Sequence, residues 1–452
     1  MEQLSALFRA ISSAFAGEGL HFGCLSRNKL VITGLDLILE PLTSPGVMAA
    51  KLWLPFGSAL DPTGQRGAHE LLASLLSRGC GPYNHCELAD LVEGCGAGLR
   101  CDAQEDGLLL SLHSTVEEAE RLLPLLAWMV HDPHLQPDQV ALERNLTLQT
   151  LQRQREDPFH TATVAWRELV FGSGGYAHDP LGVECDLKAI KREHLLPLAQ
   201  RLPVQGNVLA LAGSMPEQMQ ERILEMQGFR DWPHSPEKRE RLIPLYGTQL
   251  SRDTIRVESM DTEQVVLMLG QATVPSGHPD DLVMRLLQCH LGTGMSSLLF
   301  RRLREEYGVA YEVAVHYPQL AGPAPFVMLA STGVERAKLT LCLLLQTWEE
   351  LSQNTLTQAD LQLACAKFIG QVAYSRQTCS QRAERRVQLR AMGLNDDYDQ
   401  RCVQAVRTIT PEKVKTTCQH RLKQPRLSLC GPTSSLRELE RVWLEQNQPV
   451  SF

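Results

Sequence analysis

His69 and Glu70, in the segment GAHELLASLLSRG from Gly67 to Gly79, are the first residues of this chain whose types could do metal chemistry. In an inverted zinc motif, H-x-x-E-H, two histidines one helical turn apart face one ion, and the glutamate before the second activates a bound water. His69 stands in the first place, but Leu72 and Ala73 occupy the positions of the glutamate and the second histidine. The other order, H-E-x-x-H, keeps Glu70 and meets Ala73 again. Neither register leaves two histidines on one helical face. A cluster of Cys80, His85, Cys86, Cys95 and Cys101 matches no common zinc spacing, and Cys95 and Cys101 flank an expected strand, where thiols pack as small apolar groups. His131, His134 and His178 show no paired ligand spacing. The glycines at Gly292 and Gly294 belong to a turn and not to a phosphate loop, because no Gly-Lys-Ser/Thr follows them.

The surrounding composition bounds the answer. With 452 residues the chain can build two or more substantial cores. A net charge of -8 gives no basic footprint, so nucleic acid is not an expected partner. No apolar run is long enough to span a membrane, and MEQLSALFRAISSAFAGEGLHFG lacks a basic stretch followed by an apolar one, so no secretory signal is expected. Thirteen cysteines, an odd number without a dense framework, suit free thiols in a reducing compartment, and the expected location is cytoplasmic.

Periodicity places the motifs. Leu30 to Pro41 and Val47 to Leu54 alternate as strands, the His69 segment is a helix from Ala68 to Ser77, and Cys86 to Glu93 is another. Gly98 to Gln104 and Leu108 to His113 pair as a meander. A Ser114-Thr115 cap starts a helix over Val116 to Val130. Pro137 opens a long helix that stops before Pro158, and helices cover His160 to Leu169, Lys188 to Ala199 and Pro216 to Met226, with a strand at Asn207 to Leu211. The Pro-rich charged stretch after Asp231 is the natural linker.

After the linker the order recurs. STVEEAERLLPLLAWMV at Ser114 corresponds to STGVERAKLTLCLLLQTW at Ser331, LQPDQVALERNLTLQT at Leu135 to LTQADLQLACAKFIGQ at Leu356, and the segment at Ile190 to that at Ile409. One α+β fold is therefore duplicated, each copy an antiparallel-rich sheet with helices on one face. The expected organisation is an extension over 1–28, a first domain over 29–232, a linker over 233–247 and a second domain over 248–452.

The most informative segment of the second copy is HLGTGMSSLLFRRLREEYGVAYEVAVHYP from His290 to Pro318. It predicts a turn, a helix capped by Ser296 or Ser297 and running to Glu306, a stop at Gly308, and a strand over Val309 to Tyr317. Together with the His69 helix and ERNLTLQT at Glu143 to Thr150, it makes the chain resemble the family of zinc metallopeptidases that includes pitrilysin, insulin-degrading enzyme and the mitochondrial processing peptidase. The resemblance runs from about Lys29 to the end of the chain.

The resemblance implies that the third zinc ligand belongs at Thr150, with Glu143 and Arg144 keeping the auxiliary places, so three of the four zinc-site residues are absent in register. His69 is then expected to be satisfied by packing or hydrogen bonding, and Glu143 with Arg144 to form a helix-surface ion pair or an interface contact. It also implies that Arg304 and Tyr311 form the pair that reaches a bound peptide at a zinc site in another subunit. On the residues alone, Arg304 is one of three arginines on a solvated helix, with Arg301 and Arg302, and Tyr311 a strand residue. The expected function is the non-zinc subunit of a heterodimeric peptidase, with no cofactor in this chain, zinc in a homologous partner, and unfolded peptides as substrates. An inert assembly protein resembling the core subunits of the respiratory bc complex is the alternative. An autonomous peptidase with substitute ligands is disfavoured, because zinc with fewer than three protein ligands is weakly held.

Overall fold

A computed structural model describes residues 31–32, 35–203, 206–230, 232 and 253–446. The expected extension over 1–28 and the expected linker over 233–247 lie outside the described residues. From Ile32 onward the chain forms one compact unit.

The first half contains five longer strands, β1 (Leu35–Pro41), β2 (Val47–Leu54), β3 (Gly98–Ala103), β4 (Leu108–Thr115) and β5 (Asn207–Gly213). They lie in the order β1-β5-β2-β4-β3, with the two-residue strand Val31–Ile32 beside β1. Only the β1/β5 pair is parallel. The second half repeats the pattern with β6 (Ile255–Ser259), β7 (Gln264–Ala272), β8 (Ala310–His316), β9 (Pro325–Gly333) and β10 (Arg426–Gly431). Their order is β6-β10-β7-β9-β8, again with one parallel pair, β6/β10. The duplication visible in the sequence is thus carried down to strand order and direction.

Helices follow the same repeat. In the first half α1 (Ala68–Leu76), α2 (His85–Gly94), α3 (Val116–His131) and α4 (Pro137–Gln154) precede α5 (Pro158–Phe171), α6 (Glu184–Ala189) and α7 (Arg192–Arg201). After α8 (Met219–Glu225), the second half places α9 (Asp281–Gly292), α10 (Ala337–Gln353), α11 (Gln358–Tyr374) and α12 (Cys379–Ala391) in the places of α1, α3, α4 and α5.

Alternation along the strands explains how the halves are joined. Ala50, Leu52 and Leu54 of β2 and Leu209 and Leu211 of β5 face the helices of their own half. The intervening Trp53, Val208, Ala210 and Ala212 face the other way, onto Ala383 and Val387 of α12, a helix of the second half. Reciprocally, Ala162, Trp166 and Val170 of α5 join the core of the second half. Ser428 donates to the Ala162 carbonyl at 2.9 Å and Trp166 Nε1 to that of Arg426 at 3.3 Å. Each half lends one helix to the other's sheet.

Charge fixes α12 in place. Arg382 and Arg386 donate to the two oxygens of Glu40 at 2.7 and 2.5 Å, and Arg390 reaches Asp36 at 2.9 Å. Burial pushes the Glu40 carboxyl up, but Arg386 and Arg382 outweigh it and hold it below its ordinary value. Lys51, 1% exposed on β2, is satisfied by Ser111 Oγ at 2.8 Å and Glu384 at 3.3 Å.

Three local readings are corrected. The helix expected over Lys188 to Ala199 is two, α6 and α7, because Ile190 turns extended (φ -67, ψ 127) and buries its side chain completely. The sequence offers no Gly or Pro to mark that break. Thr115 is the N-cap of α3, but neither it nor Ser114 supplies a cap hydrogen bond, since both residues still belong to β4. The helix expected from Ser296 or Ser297 to Glu306 is π-helical over Phe300–Glu306, with no side-chain cap.

The turn between β3 and β4 has no room for a side chain at Gly107, where a Cβ would lie 2.2 Å from Trp53 Cζ2 and 2.6 Å from the Leu54 carbonyl oxygen. Gly107→Ala is expected to destabilise the protein by about 1–3 kcal/mol, as for other overpacked sites, measured as a lowered urea midpoint with an unchanged m-value.

Candidate functional site

Helix α1 begins at Gly67, whose φ of 100° suits glycine, and its first turn is capped from outside by Asp61. That carboxylate accepts the amides of Gly67 at 2.6 Å and His69 at 3.0 Å. It also meets His69 Nδ1 at 2.7 Å and His178 Nε2 at 3.1 Å. Burial alone would push Asp61 up, but His178, His69 and the Gly67 amide reverse that and hold it below its ordinary value. His69, 1% exposed, is therefore a buried structural histidine whose partner is a carboxylate.

The other ligand positions are occupied by groups with no metal affinity. Leu72 and Ala73 are 0% and 2% exposed and belong to the core of the first half. Thr150 Oγ1 donates to the Leu146 carbonyl at 3.0 Å, one turn back in its own helix. Among the described residues no group of three His, Cys, Asp or Glu side chains is placed to hold an ion. The cysteine cluster likewise disperses: Cys95 donates to Glu118, Cys80 is buried, and burial pushes the Cys101 thiol far up.

Glu143 and Arg144 do not pair with each other. Adjacent helical residues face different directions. Glu143 is buried and receives Arg78 Nε at 2.6 Å, while Arg144 donates to the Ile190 carbonyl at 2.9 Å. Asp61, Arg78 and His178 are the groups that hold this region, and their separations along the chain carry no signal of it.

Glu70 is the one group here left under electrostatic stress. Burial pushes its carboxyl up to about 7, and Asp102, Asp179, Asp61 and Glu143 add to the shift.

The second locus is built differently. Tyr307 N donates to the Arg302 carbonyl at 3.2 Å, five residues back, and Val309 N to that of Leu303 at 2.8 Å. This widened π-helical turn, a geometry frequent at functional sites, anchors buried Leu303 and turns the following residues outward. Arg302 is bound to Glu350 and Thr347, both at 2.8 Å, and Arg301 lies 3.5 Å from Asp360. Arg304 is exposed, its guanidinium 5.1 Å from the Phe300 ring centroid, and has no hydrogen-bond or ion-pair partner among the described residues.

Tyr311 sits on a β-bulge. Ala310 pairs with Thr332 and Glu312 with Ser331, leaving Tyr311 out of register. Bulges re-aim side chains in this way, often beside active sites. The ring is 66% exposed, and its hydroxyl lies 3.1 Å from where a Cβ on Gly333 would stand. Of the residues singled out by sequence, Arg304 on the π-helical turn and Tyr311 on the edge strand of the second sheet are thus exposed, while His69, Leu72 and Ala73 are buried.

Because Glu70 holds its proton more tightly when folded, the folded state binds more protons than the unfolded one between the ordinary value of 4.5 and about 7. Its contribution to stability therefore declines as pH rises through that window. Glu70→Gln is expected to match the parent near the lower limit and to exceed its stability by ~3 kcal/mol above the upper one, in urea titrations at both pH values.

Comparison with known proteins agrees with this architecture. The family described as Insulinase (Peptidase family M16) matches residues 42–170, and the one described as Peptidase M16 inactive domain matches residues 205–368. An uncharacterized zinc protease of Mycobacterium tuberculosis is 21% identical over 411 residues, 90% of this chain and 93% of that protein. One of Bacillus subtilis is 19% identical over 353 residues, 78% of this chain and 85% of its own. Among solved structures, a peptidase M16 inactive domain from Pseudomonas fluorescens superposes with a TM-score of 0.79 at 21% identity, covering 89% of this chain and 97% of that one. A chain of Complex III2 from Candida albicans superposes with a TM-score of 0.72 at 11% identity, covering 90% and 98%. The two family matches, which together span more than half of the chain, establish that it belongs to the pitrilysin-like peptidase family M16.

Proposed function

We propose that this chain is the non-zinc subunit of a heterodimeric metallopeptidase, lending Arg304 and Tyr311 to a homologous partner that holds the zinc. The observation that carries the reading is the contrast among three neighbouring arginines: Arg302 is bound to Glu350 and Arg301 lies 3.5 Å from Asp360, whereas Arg304 is exposed with no ion-pair partner among the described residues, on the turn that leads into the strand of the bulged Tyr311. A solvated helix face would give no reason for that division. A guanidinium can grip a peptide carbonyl through its fork of N–H donors, and a phenol can donate to the oxyanion that develops during hydrolysis. The residues at the ligand positions do not fit zinc, so no step of hydrolysis is assigned to the first half of this chain.

The substrates on this reading are unfolded or extended peptides. The naming of curated relatives as zinc proteases is consistent with it. A second reading, an inert assembly subunit, is favoured by the likeness to the Complex III2 chain.

The test is reconstitution with a homologous zinc-bearing chain and assay on a flexible peptide. Arg304→Ala and Tyr311→Phe are each expected to lower kcat/KM by the equivalent of about 2–4 kcal/mol, with the Tyr311 effect chiefly in kcat. Full activity in both variants would rule out the proposed role of the pair. The isolated chain is expected to carry no stoichiometric zinc by elemental analysis. Stoichiometric zinc that disappears in His69→Ala would overturn both readings in favour of an autonomous enzyme.

A further inference from the structure

The second half keeps an open cavity where the first half has closed its metal locus. Helices α9 and α11 stand in the places of α1 and α4, and setting Leu135 on Leu356 brings Thr150 onto Gln371. Between these helices, α12 and the end of β8 lies a cavity of about 370 Å³, with Arg285 and Arg385 at its floor and Gln288, Gln319, Gln371 and Gln388 around it. That volume falls at the small end of the range for ligand pockets, roughly 300–1,000 Å³.

The floor is a fixed array of charge. Arg285, 6% exposed, directs Nε and Nη2 to the two oxygens of Asp281 at 3.2 and 2.8 Å. Asp281 is further satisfied by the hydroxyls of Tyr317 at 2.9 Å and Tyr398 at 3.0 Å, and by the Gly277 amide at 3.1 Å. The remaining guanidinium nitrogen, Nη1, has no hydrogen-bond partner among the described residues, although Arg285 lines the cavity. Arg385 binds Asp399 through Nε at 2.8 Å and Nη2 at 2.5 Å, and Gln319 through Nη1. Arg376 shares the same Asp399. Three guanidiniums therefore face two carboxylates, while Glu384, the other acid on the wall, is matched by Lys51.

This balance suits one negative charge. A buried guanidinium with an unspent N–H makes strong charge-assisted bonds to a carboxylate. The glutamines are each held by a bond already made, Gln319 accepting from Arg385, Gln388 donating to Glu384, and Gln371 donating to Thr293 and accepting from Cys289. A carboxamide has two N–H donors and two acceptor sites, so each keeps capacity for a peptide group. Gln288 spends its amino group on the Val315 carbonyl at 3.3 Å and leaves its own carbonyl oxygen unmatched. A phosphate dianion would meet too little positive charge.

We infer that this cavity is a binding site for a short peptide of about dipeptide size, held by its C-terminal carboxylate on Arg285 and by its amide groups on the surrounding glutamines. The site does not depend on whether Arg304 and Tyr311 serve a partner's chemistry, and it is tested on the isolated chain.

The experiment is calorimetric titration of the full chain with glycylglutamine, its C-terminal amide and free glutamine. The dipeptide is expected to bind with a millimolar or tighter dissociation constant. Amidation should weaken it by about tenfold or more, through loss of the charge-assisted bonds. Ser375→Phe, which fills the mouth without touching the buried Arg285–Asp281 pair, should abolish binding at unchanged Tm, and Arg285→Lys should weaken the dipeptide more than its amide. No binding at millimolar dipeptide, an amide as tight as the acid, free glutamine as tight as the dipeptide, or full binding in Ser375→Phe would each overturn the assignment.

Discussion

The constraint on which this structure depends is that each sheet has two apolar faces and its own half covers only one. β2 and β5 are buried on both sides, so the residues that alternate away from α1 and α3 need a second layer. Helix α12 provides that layer for the first sheet and α5 for the second. Burying residues such as Trp53 and Trp166 in this exchange removes a large apolar area from water at about 25 cal/mol per Å². The ion pairs of Glu40 and Asp36 with α12 set its register on the sheet. The duplicated arrangement is thereby one compact unit from Ile32 onward.

Within this frame the two halves have gone separate ways at equivalent places. In the first, Leu72 and Ala73 belong to the core, and Asp61 binds both His69 and His178, so that the two histidines are satisfied by one carboxylate. Glu70 stands apart: a carboxyl among other acids, with burial raising its proton affinity. In the second, the corresponding space stays open and polar, with its charges arranged on a rigid floor.

Much of this was legible in the sequence because it is written in local pattern. Strand alternation, the Pro137 helix start and the repeated segments at Ser114 and Ser331 located the duplicated α+β fold, the losses at Leu72 and Ala73 could be read from motif spacing, and that at Thr150 from the family resemblance. What escaped was set by contacts distant along the chain. Arg78 and not Arg144 meets Glu143, and Asp61 gathers two histidines from different elements. The break at Ile190 has no Gly or Pro to announce it; burial of that side chain produces it. The π-helical form of Phe300–Glu306 and the bulge at Tyr311 are equally silent in composition, although they decide which way the two side chains point.

The exchange of α5 and α12 also bears on how such a molecule could have arisen. A polypeptide carrying one sheet and its own helices would expose the outer row of that sheet, the row that holds Trp53 in the first half. Such a chain would be soluble only as a pair of copies trading this helix, a domain-swapped homodimer. Joining the two genes end to end would preserve that association within one polypeptide and free each copy to lose what the other retained. The silent locus at His69 and the polar cavity at Arg285 then stand on equivalent helices of the two copies, each held by a different set of partners.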